Sequence, residues 1–419
     1  MISVEEALGK ILDFATVLEE EKKPLLDCLG QVLAEDVYAP FDVPPQDNSA
    51  MDGYAVQAGS IVDASYEQLK TLRVLGEAAA GYPTELKVEP GTCVRIMTGA
   101  PLPEGADVVV PFEDTDELER KQTLGSETEI GICHSLPENS NIRRRGEDIA
   151  KGKLAMEKGR LLHPAELGVL ASLGRGKVSI IRRPVVAILA TGDEVLDINQ
   201  PLTPGKIYNS NTYSLAAQVL TCGGIPKLLG VAPDEVGQLS AALRHGLDCD
   251  MLITSGGVSL GDYDVVKQVL TDEGDISFWT VCMKPGKPLA FGTFKRDSGK
   301  KIPHLGLPGN PVSSMITFEV FARPAILKMM GQTNLARPSI NAVIENSIMN
   351  SDGRRVFARV IVKRQGGKYF ASLTGSQGSG ILTSMSEANG LAIIPETTKE
   401  LKSGASVEVM ILNCDKVQA

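Results

Sequence analysis

The sequence predicts a multidomain α/β protein built around a central, doubly wound and mostly parallel α/β domain. Its 419 residues exceed what one hydrophobic core normally organises, so roughly two to four domains are expected. From residue 183 onward, short apolar strands alternate with helical patterns, which is typical of a parallel sheet covered on both faces. Shorter β-rich runs precede and follow this region, and they predict an inserted small β-rich domain and a C-terminal β-barrel-like domain.

The composition excludes several classes of protein. Acidic residues outnumber basic residues 52 to 42, and a net charge of −10 argues against a general nucleic-acid or membrane-surface binder. The seven cysteines are widely spaced and contain no C-x-x-C pair, so neither a disulfide framework nor a zinc cluster is indicated. No targeting segment opens the chain, and no run approaches the roughly 18 apolar residues of a membrane span. We therefore expect a cytoplasmic protein without a membrane segment.

The first part of the chain predicts a helix and then an extended segment. Ser3 and Glu6 form a possible capping box, and apolar residues at helical spacing predict an amphipathic helix over residues 3–20. Three prolines between Tyr38 and Pro45 predict an extended connector, with a domain boundary just beyond it. Further on, Pro164 at a first helical position and Gly174 at an end predict a helix between them.

The β-rich insert carries three polar motifs. The turn NSAMDGYA contains Asp52, and the glycine- and proline-rich loop MTGAPLPEGAD contains the hydroxyl of Thr98. The motif NIRRRGED brings Arg143, Arg144 and Arg145 together in an otherwise acidic chain. Each motif has an ordinary structural explanation, namely a turn former, a surface loop and a solvated face. Arginine is also the side chain best suited to bind phosphate, because its guanidinium can donate two parallel hydrogen bonds.

The α/β region predicts a strand–turn–helix unit at TSGGVSLGDYD. The strand Met251–Thr254 stops at Ser255-Gly256-Gly257, and a helix is expected to follow with acidic residues in its first turn. Exposed amides of such a glycine turn form a seat for phosphate. A plain strand-to-helix turn is the alternative. Earlier strands are expected at Val185–Ala190 and Leu228–Ala232, and they end in TGDE and PDE.

Parallel strands place these loops at one edge of the sheet, where ligands bind. The carboxylates expected at this edge are Asp193, Glu194, Asp234, Asp262 and Asp264. Clustered carboxylates repel one another unless a cation lies among them. The sequence therefore predicts a Mg²⁺–phosphate site.

A second anion site is predicted further along the chain. Lys284 and Lys287 lie in the rigid turn MKPGKP, and Asn310 is expected to cap a long helix from Pro311 to Met330. Ser313 and Ser314 lie just inside that helix. Hydroxyls at a helix start beside two lysines suit a small tetrahedral oxyanion. Neither a P-loop nor a dinucleotide-binding glycine motif is present.

Together the motifs NSAMDGYA, MTGAPLPEGAD, IRRRGEDI, TGDE, TSGGVSLGDYD, MKPGKP and LPGNPVS resemble the molybdopterin molybdenumtransferase family, which includes the E domain of gephyrin. The resemblance implies that molybdate enters the dithiolene of an adenylylated molybdopterin while AMP is released, with Mg²⁺ assisting. It also implies an elongated homodimer. The implied subunit has four parts: residues 1–45 with 145–182 as an elongated N-terminal linker domain, 46–144 as the β-rich insert, 183–330 as the molybdopterin-binding domain, and 331–419 as the small C-terminal β domain.

The resemblance also implies roles, position by position. Asp52 and Thr98 match positions of the active cleft, and Glu194, Asp234 and Asp264 match carboxylates that handle metal and pyrophosphate. Residues matching molybdate positions are Lys284, Lys287, Ser313, Arg359 and Ser379. Other expected substrate contacts within the motifs are Arg143, Arg144, Ser255, Gly256, Gly257, Ser259, Pro308 and Asn310. Val265 departs from the family, which usually carries an aromatic residue after the aspartate.

Two alternative functions remain at this stage. A molybdopterin adenylyltransferase has a fold resembling residues 183–330 alone, and the motifs outside that range argue against it. A non-catalytic scaffold is a different class, and the carboxylates of the cleft argue against it. The implied partners are an adenylyltransferase that supplies the substrate and the apo-molybdoenzymes that receive the cofactor.

Overall fold

In a computed structural model, which describes residues 1–123, 128–258, 265–296 and 299–417, the chain divides into two units. The α/β unit contains Met1–Lys23, Cys28–Ala34 and Ser179–Ala419. The β-rich unit contains Pro24–Asp27 and Glu35–Val178. All seven cysteines are free thiols. The predicted fold class is confirmed, while the four-part division remains a prediction.

The N-terminal helix α1 spans Val4–Phe14, and the Ser3 hydroxyl accepts a hydrogen bond from the backbone N–H of Glu6 at 3.0 Å. The expected continuation to residue 20 is wrong, because strand β1 occupies Glu20–Pro24. Ala15 is already extended, and the Leu18 N–H donates to the Met329 carbonyl at 2.9 Å and not to a carbonyl of the helix. The helix packs within the α/β unit, where the Phe14 ring meets Phe291 edge-on at 5.4 Å between centroids.

The β-rich unit contains the strands expected from the sequence. Its main sheet follows the order β7–β4–β6–β5–β8, and Tyr54, Val56 and Leu72 lie in its buried core. The helix α3 begins at Pro164, and the left-handed Gly174 follows its end, as predicted. The elements of this part of the chain are β2 Val37–Tyr38, β3 Asn48–Ser49, β4 Gly53–Val56, β5 Lys70–Ala78, β6 Thr92–Ile96, β7 Val108–Pro111, α2 Glu117–Thr123, β8 Glu129–Ile132, β9 Ile142–Arg143, β10 Leu154–Met156 and α3 Pro164–Ser172.

The strands of the next part of the chain are β11 Lys177–Ile181, β12 Val185–Thr191, β13 Val195–Leu196, β14 Ile207–Tyr208, β15 Ile225–Ala232, β16 Met251–Ser255, β17 Gly274–Thr280, β18 Met283–Lys284, β19 Pro288–Lys295 and β20 Lys301–Leu307. Six of them form the central sheet, in the order β15–β12–β16–β20–β19–β17. Its neighbouring strands β15, β12, β16 and β20 are parallel, whereas β19 is antiparallel to both of its neighbours. The helices are α4 Ser210–Thr221, α5 Val236–His245, α6 Val265–Glu273, α7 Pro311–Thr317 and α8 Arg323–Met329.

Both faces of this sheet are covered. Ala187 and Leu189 share a core with residues of α5 and α6, and the alternate residues Val186 and Ile188 are also fully buried. Such burial on both faces explains the continuous apolar run of β12. Because the parallel strands point the same way, the loops that follow β12, β15, β16 and β20 emerge at one edge of the sheet.

The C-terminal region closes into a barrel, as predicted. The elements of this region are β21 Ser339–Ile344, β22 Ile348–Met349, β23 Arg355–Gln365, β24 Lys368–Leu373, α9 Thr383–Glu387, β25 Gly390–Ile394, β26 Glu400–Leu401 and β27 Ser406–Ile411. Strands β23, β24, β21, β27 and β25 pair in turn, and β25 pairs back with β23 to close the barrel. Within the described ranges, none of the helices is both long and apolar enough to cross a membrane.

Candidate active site

A cavity of about 1100 Å³ opens at the edge where the parallel strands end. The loops after β12, β15, β16 and β20 all contribute to its lining, as the topology requires. Predicted site residues that line it are Glu194, Asp234, Ser255, Gly256, Gly257, Pro308 and Asn310. The sheet therefore brings together residues that are more than 100 positions apart in the sequence.

The glycine turn after β16 leaves no room for a side chain at Gly256 or Gly257. Gly256 has a φ of +103°, and a Cβ placed on it would lie 2.7 Å from the Thr191 hydroxyl oxygen. A Cβ on Gly257 would lie 2.3 Å from the Val266 Cβ. The Gly256 N–H donates to the Leu307 carbonyl at 3.0 Å. The expectation that both glycine amides face a phosphate is therefore wrong for Gly256, whose amide continues the pairing of β16 with β20.

Two of the predicted metal ligands, Glu194 and Asp234, line the same cavity from different strand ends. Asp193 supports the second of them, because its carboxylate accepts a hydrogen bond from the Asp234 backbone N–H at 3.1 Å. Ser259, Asp262 and Asp264 lie outside the described residues. Within the described ranges, no cluster of three or more histidine, cysteine, aspartate or glutamate side chains could hold a metal ion. The described part of the donor set thus consists of two carboxylates.

The start of α7 forms another wall of the cavity. Asn310 occupies the N-cap position and Pro311 the first helical position, as predicted. Contrary to expectation, the Asn310 side chain makes no capping hydrogen bond within the described residues. The predicted uninterrupted helix to Met330 is also wrong, because Phe318–Ala322 is π-helical. Pro324 has no N–H to continue the α-helical pattern, which explains the change.

The barrel reaches this wall through the loop at residues 375–380. Gly380 lines the cavity, and the Ser379 carbonyl accepts a hydrogen bond from the Val312 N–H at 3.1 Å. Arg359 is fully buried beneath the loop and donates from Nη2 to the carbonyls of Ser376 and Gly378, both at 3.1 Å. Within the described residues, its Nε and Nη1 have no hydrogen-bond partner. Burial lowers the pKa of Arg359.

Of the two predicted lysines, Lys284 ends β18 and Lys287 directly precedes β19. Both are exposed, and neither belongs to the described lining of the cavity. The Lys284 ammonium lies 3.4 Å from the carboxylate of Asp352 in the turn before β23, and Arg354 pairs with the same carboxylate. Ser313 is buried inside α7. Lys284 is thus held towards the barrel.

The motifs of the β-rich unit form their own local structure. One Asp52 carboxylate oxygen accepts hydrogen bonds from the Thr98 N–H at 2.6 Å and from the Thr98 hydroxyl at 2.7 Å. The backbone bond, followed by the hydroxyl bond, lowers the pKa of Asp52. Arg144 pairs with Asp47, while Arg143 is exposed. Asp52 and Thr98 are thus in direct contact, while their assignment to the active cleft remains a prediction.

Two cavity residues escaped the sequence reasoning. Asn211 donates from its amide nitrogen to the Ser255 hydroxyl at 2.8 Å and to the Gly309 carbonyl at 2.7 Å. Tyr208 contributes an aromatic side chain to the lining. In the sequence YNSN, the asparagines resemble ordinary helix-capping residues, and Asn209 does accept the capping bond from the Thr212 N–H. The hydrogen bonds of Asn211 to Ser255 and Gly309, which are distant in the sequence, distinguish it from the capping residue Asn209.

Comparison with known protein families gives a match to each of three regions of the chain. Residues 2–174 match the MoeA N-terminal region (domain I and II), residues 187–328 match a probable molybdopterin binding domain, and residues 341–412 match the MoeA C-terminal region (domain IV). Molybdopterin molybdenumtransferase 2 of Mycobacterium tuberculosis is 38% identical, with 98% of this chain and 99% of that protein covered.

Two further relatives agree with this assignment. The molybdopterin molybdenumtransferase of Haemophilus influenzae is 35% identical, with 99% of both chains covered. The crystal structure of the molybdopterin biosynthesis MoeA protein from Pyrococcus horikoshii superposes with a TM-score of 0.80 at 29% identity, with 98% of this chain and 100% of that chain covered.

Proposed function

The chain belongs to the molybdopterin molybdenumtransferase family, and we propose that it transfers molybdenum from molybdate to an adenylylated molybdopterin with release of AMP. The observation that carries this proposal is the cavity at the carboxyl edge of the sheet. It combines two carboxylates, a glycine turn and the start of α7. This arrangement suits a phosphoanhydride held between backbone donors and a cation.

A resident Mg²⁺ fits the donor chemistry of this cavity. Glu194 and Asp234 contribute carboxylate oxygens from separate loops, and such oxygens are the ligands that Mg²⁺ prefers. Asp264 is the third proposed ligand. Two carboxylates facing one anion-binding cavity would oppose substrate binding unless a cation offset their charge. When bound, the ion would offset negative charge on the phosphates and polarise the bond that is cleaved.

We place the molybdate end of the reaction where the barrel loop meets α7. Arg359 supports this assignment, because it is a fully buried guanidinium whose Nε and Nη1 have no hydrogen-bond partner in the described part of the chain. Buried cations are normally paired with an anion. Ser379 lies on the same loop, and its carbonyl contacts Val312. Lys284, Lys287 and Ser313 complete the proposed oxyanion site.

The active form is proposed to be a homodimer with shared active sites. Asp52 and Thr98 belong to the β-rich unit, whereas the cavity belongs to the α/β unit. A two-fold dimer allows one subunit to complete the cavity of the other. Arg143 and Arg144 would then contribute to binding the anionic substrate. The proposed setting is the cytoplasm, with an adenylyltransferase as supplier and apo-molybdoenzymes as recipients.

One assay tests this function against both alternatives. The full-length protein is incubated with adenylylated molybdopterin, molybdate and Mg²⁺, and AMP and pterin-bound molybdenum are quantified together. The proposal expects AMP and molybdenum insertion in equal amounts. A scaffold would produce neither product, and an adenylyltransferase would instead form adenylylated molybdopterin in a parallel incubation that supplies ATP and molybdopterin. Either of those outcomes would overturn the proposal.

A further inference from the structure

The start of α4 lies at the floor of the cavity and carries a residue that capping does not require. Asn209 already caps the helix, since its side chain accepts from the Thr212 N–H at 3.1 Å and donates to the Thr212 hydroxyl at 2.9 Å. Asn211 follows inside the helix, where asparagine is a poor helix former. Its presence there calls for another explanation.

Asn211 connects two of the loops that follow strands of the central sheet. Its amide nitrogen donates to the hydroxyl of Ser255, at the end of β16, and to the carbonyl of Gly309, in the turn after β20. The Gly309 carbonyl can only accept a hydrogen bond, which fixes the orientation of the Asn211 amide. Both amide hydrogens are therefore used to join the two turns.

The turns joined by Asn211 lie next to each other. A Cβ placed on Gly309 would lie at an ordinary contact distance of 3.6 Å from the Gly256 Cα, whereas a Cβ on Gly256 would lie 2.8 Å from the Thr191 carbonyl oxygen. Three strand-end loops thus converge on one point of the cavity floor. A shift of either joined turn would change the position of the backbone groups that face a bound phosphate.

Asn211 also lines the cavity. Its side-chain oxygen is buried and has no hydrogen-bond partner among the residues that the structure describes. Because this oxygen is closed to solvent, Asn211 acts on a bound ligand through the position of the two turns and not through a direct hydrogen bond from the oxygen.

We propose that Asn211 is a positioning residue of the active site, which holds the Ser255 and Gly309 turns in register for the phosphate end of the adenylylated substrate. This inference rests on the proposed function. It adds a residue that no carboxylate or glycine motif identifies.

Calorimetric binding of AMP with Mg²⁺ to the full-length protein tests the proposal. Asn211→Ala should weaken AMP binding by about tenfold, because hydrogen bonds that fix the turns are lost. Asn211→Asp keeps the volume but places oxygen against the Gly309 carbonyl, so it should weaken binding further. Asn199→Ala is the matched control, since Asn199 bonds Asp197 locally and does not line the cavity.

A cycle with Ser255→Ala separates positioning from general loss of structure. Because Asn211→Ala already removes the bond to Ser255, the double variant should lose less AMP binding than the sum of the two single losses. The KM for adenylylated molybdopterin should rise with kcat nearly unchanged, while the thermal midpoint stays near that of the wild type. Additive losses, or Asn211→Ala binding like wild type, would overturn the inference. Failure of the wild-type protein to bind AMP or release it would instead count against the proposed function.

Discussion

The predicted carboxylates of the two units have different surroundings. In the β-rich unit, Asp52 lies in a short motif and receives both hydrogen bonds from Thr98. In the α/β unit, Glu194 and Asp234 come from separate strand ends and line one large cavity. The first arrangement orients a carboxylate by a single loop contact, whereas the second depends on the order of strands in the sheet. A preoriented carboxylate suits positioning or proton transfer, and carboxylates lining a cavity suit a cation and an anionic substrate.

The largest effect is expected at the cavity. Asp234→Asn should lower AMP release by about 100-fold or more, because it removes charge where the phosphoanhydride reacts. Its volume is unchanged, so the thermal midpoint should stay near that of wild type. Asp264→Asn and a chelator should give the same loss. Asp248→Asn is the control, since Asp248 is 72% exposed and pairs with Lys227. Near-normal turnover of Asp234→Asn would remove it from the metal site.

Subunit mixing tests whether the two regions act across a dimer. Inactive Asp52→Ala subunits mixed with inactive Asp264→Asn subunits should form heterodimers in which one cavity carries neither lesion. Random exchange should then restore about a quarter of wild-type activity if the two sites are independent. Tagged subunits establish that exchange has occurred. Background activity after demonstrated exchange would show that each site is built within one chain.

A smaller effect is expected at the oxyanion end. Lys287→Ala should raise the molybdate concentration for half-maximal insertion by about tenfold, because a charge-assisted contact is lost. Binding of the adenylylated pterin should change little. Lys295→Ala, an exposed lysine at the other end of β19, provides the control. Equal weakening of both substrates would assign Lys287 to the phosphates instead.

The smallest effect concerns the pH dependence of stability in the β-rich unit. The Thr98 hydrogen bonds hold the pKa of Asp52 below its ordinary value, so they stabilise the fold above that value and lose their effect as the pH falls through the lowered pKa. Thr98→Val should therefore lower the thermal midpoint slightly at pH 7, with the difference shrinking below about pH 4. Thr98→Ser keeps the hydroxyl and should behave as wild type. A difference independent of pH would point to packing instead.

Much of the central fold followed from periodicity. The apolar run of β12 and the alternation of strands with helices predicted buried parallel strands, and the resulting topology brought Glu194 and Asp234 to one edge. The end of the helix at Phe14 and the π-helical segment were missed, because a long-range hydrogen bond of Leu18 and a downstream proline outweighed apolar spacing. The residue at which a helix ends depends on which of its side chains and backbone groups contact another element.

The site was less accessible to sequence reasoning wherever contacts are long-range. Asn211 looks like a second capping residue until its bonds to Ser255 and Gly309 are seen. The barrel loop at Gly380 reaches the cavity only through tertiary packing. The Gly256 amide was expected to face phosphate, but the pairing of β16 with β20 uses it. Short motifs identify chemistry, whereas strand pairing decides which groups remain available.

A crystal structure with AMP and Mg²⁺ tests the central claim most directly. We expect the phosphate against the turn after β16, a metal ion coordinated by Glu194 or Asp234, and the nucleotide within the cavity lined by Asn211. AMP bound outside this cavity, or a phosphate with neither metal nor turn contacts, would contradict the assignment of the cavity to the phosphoanhydride.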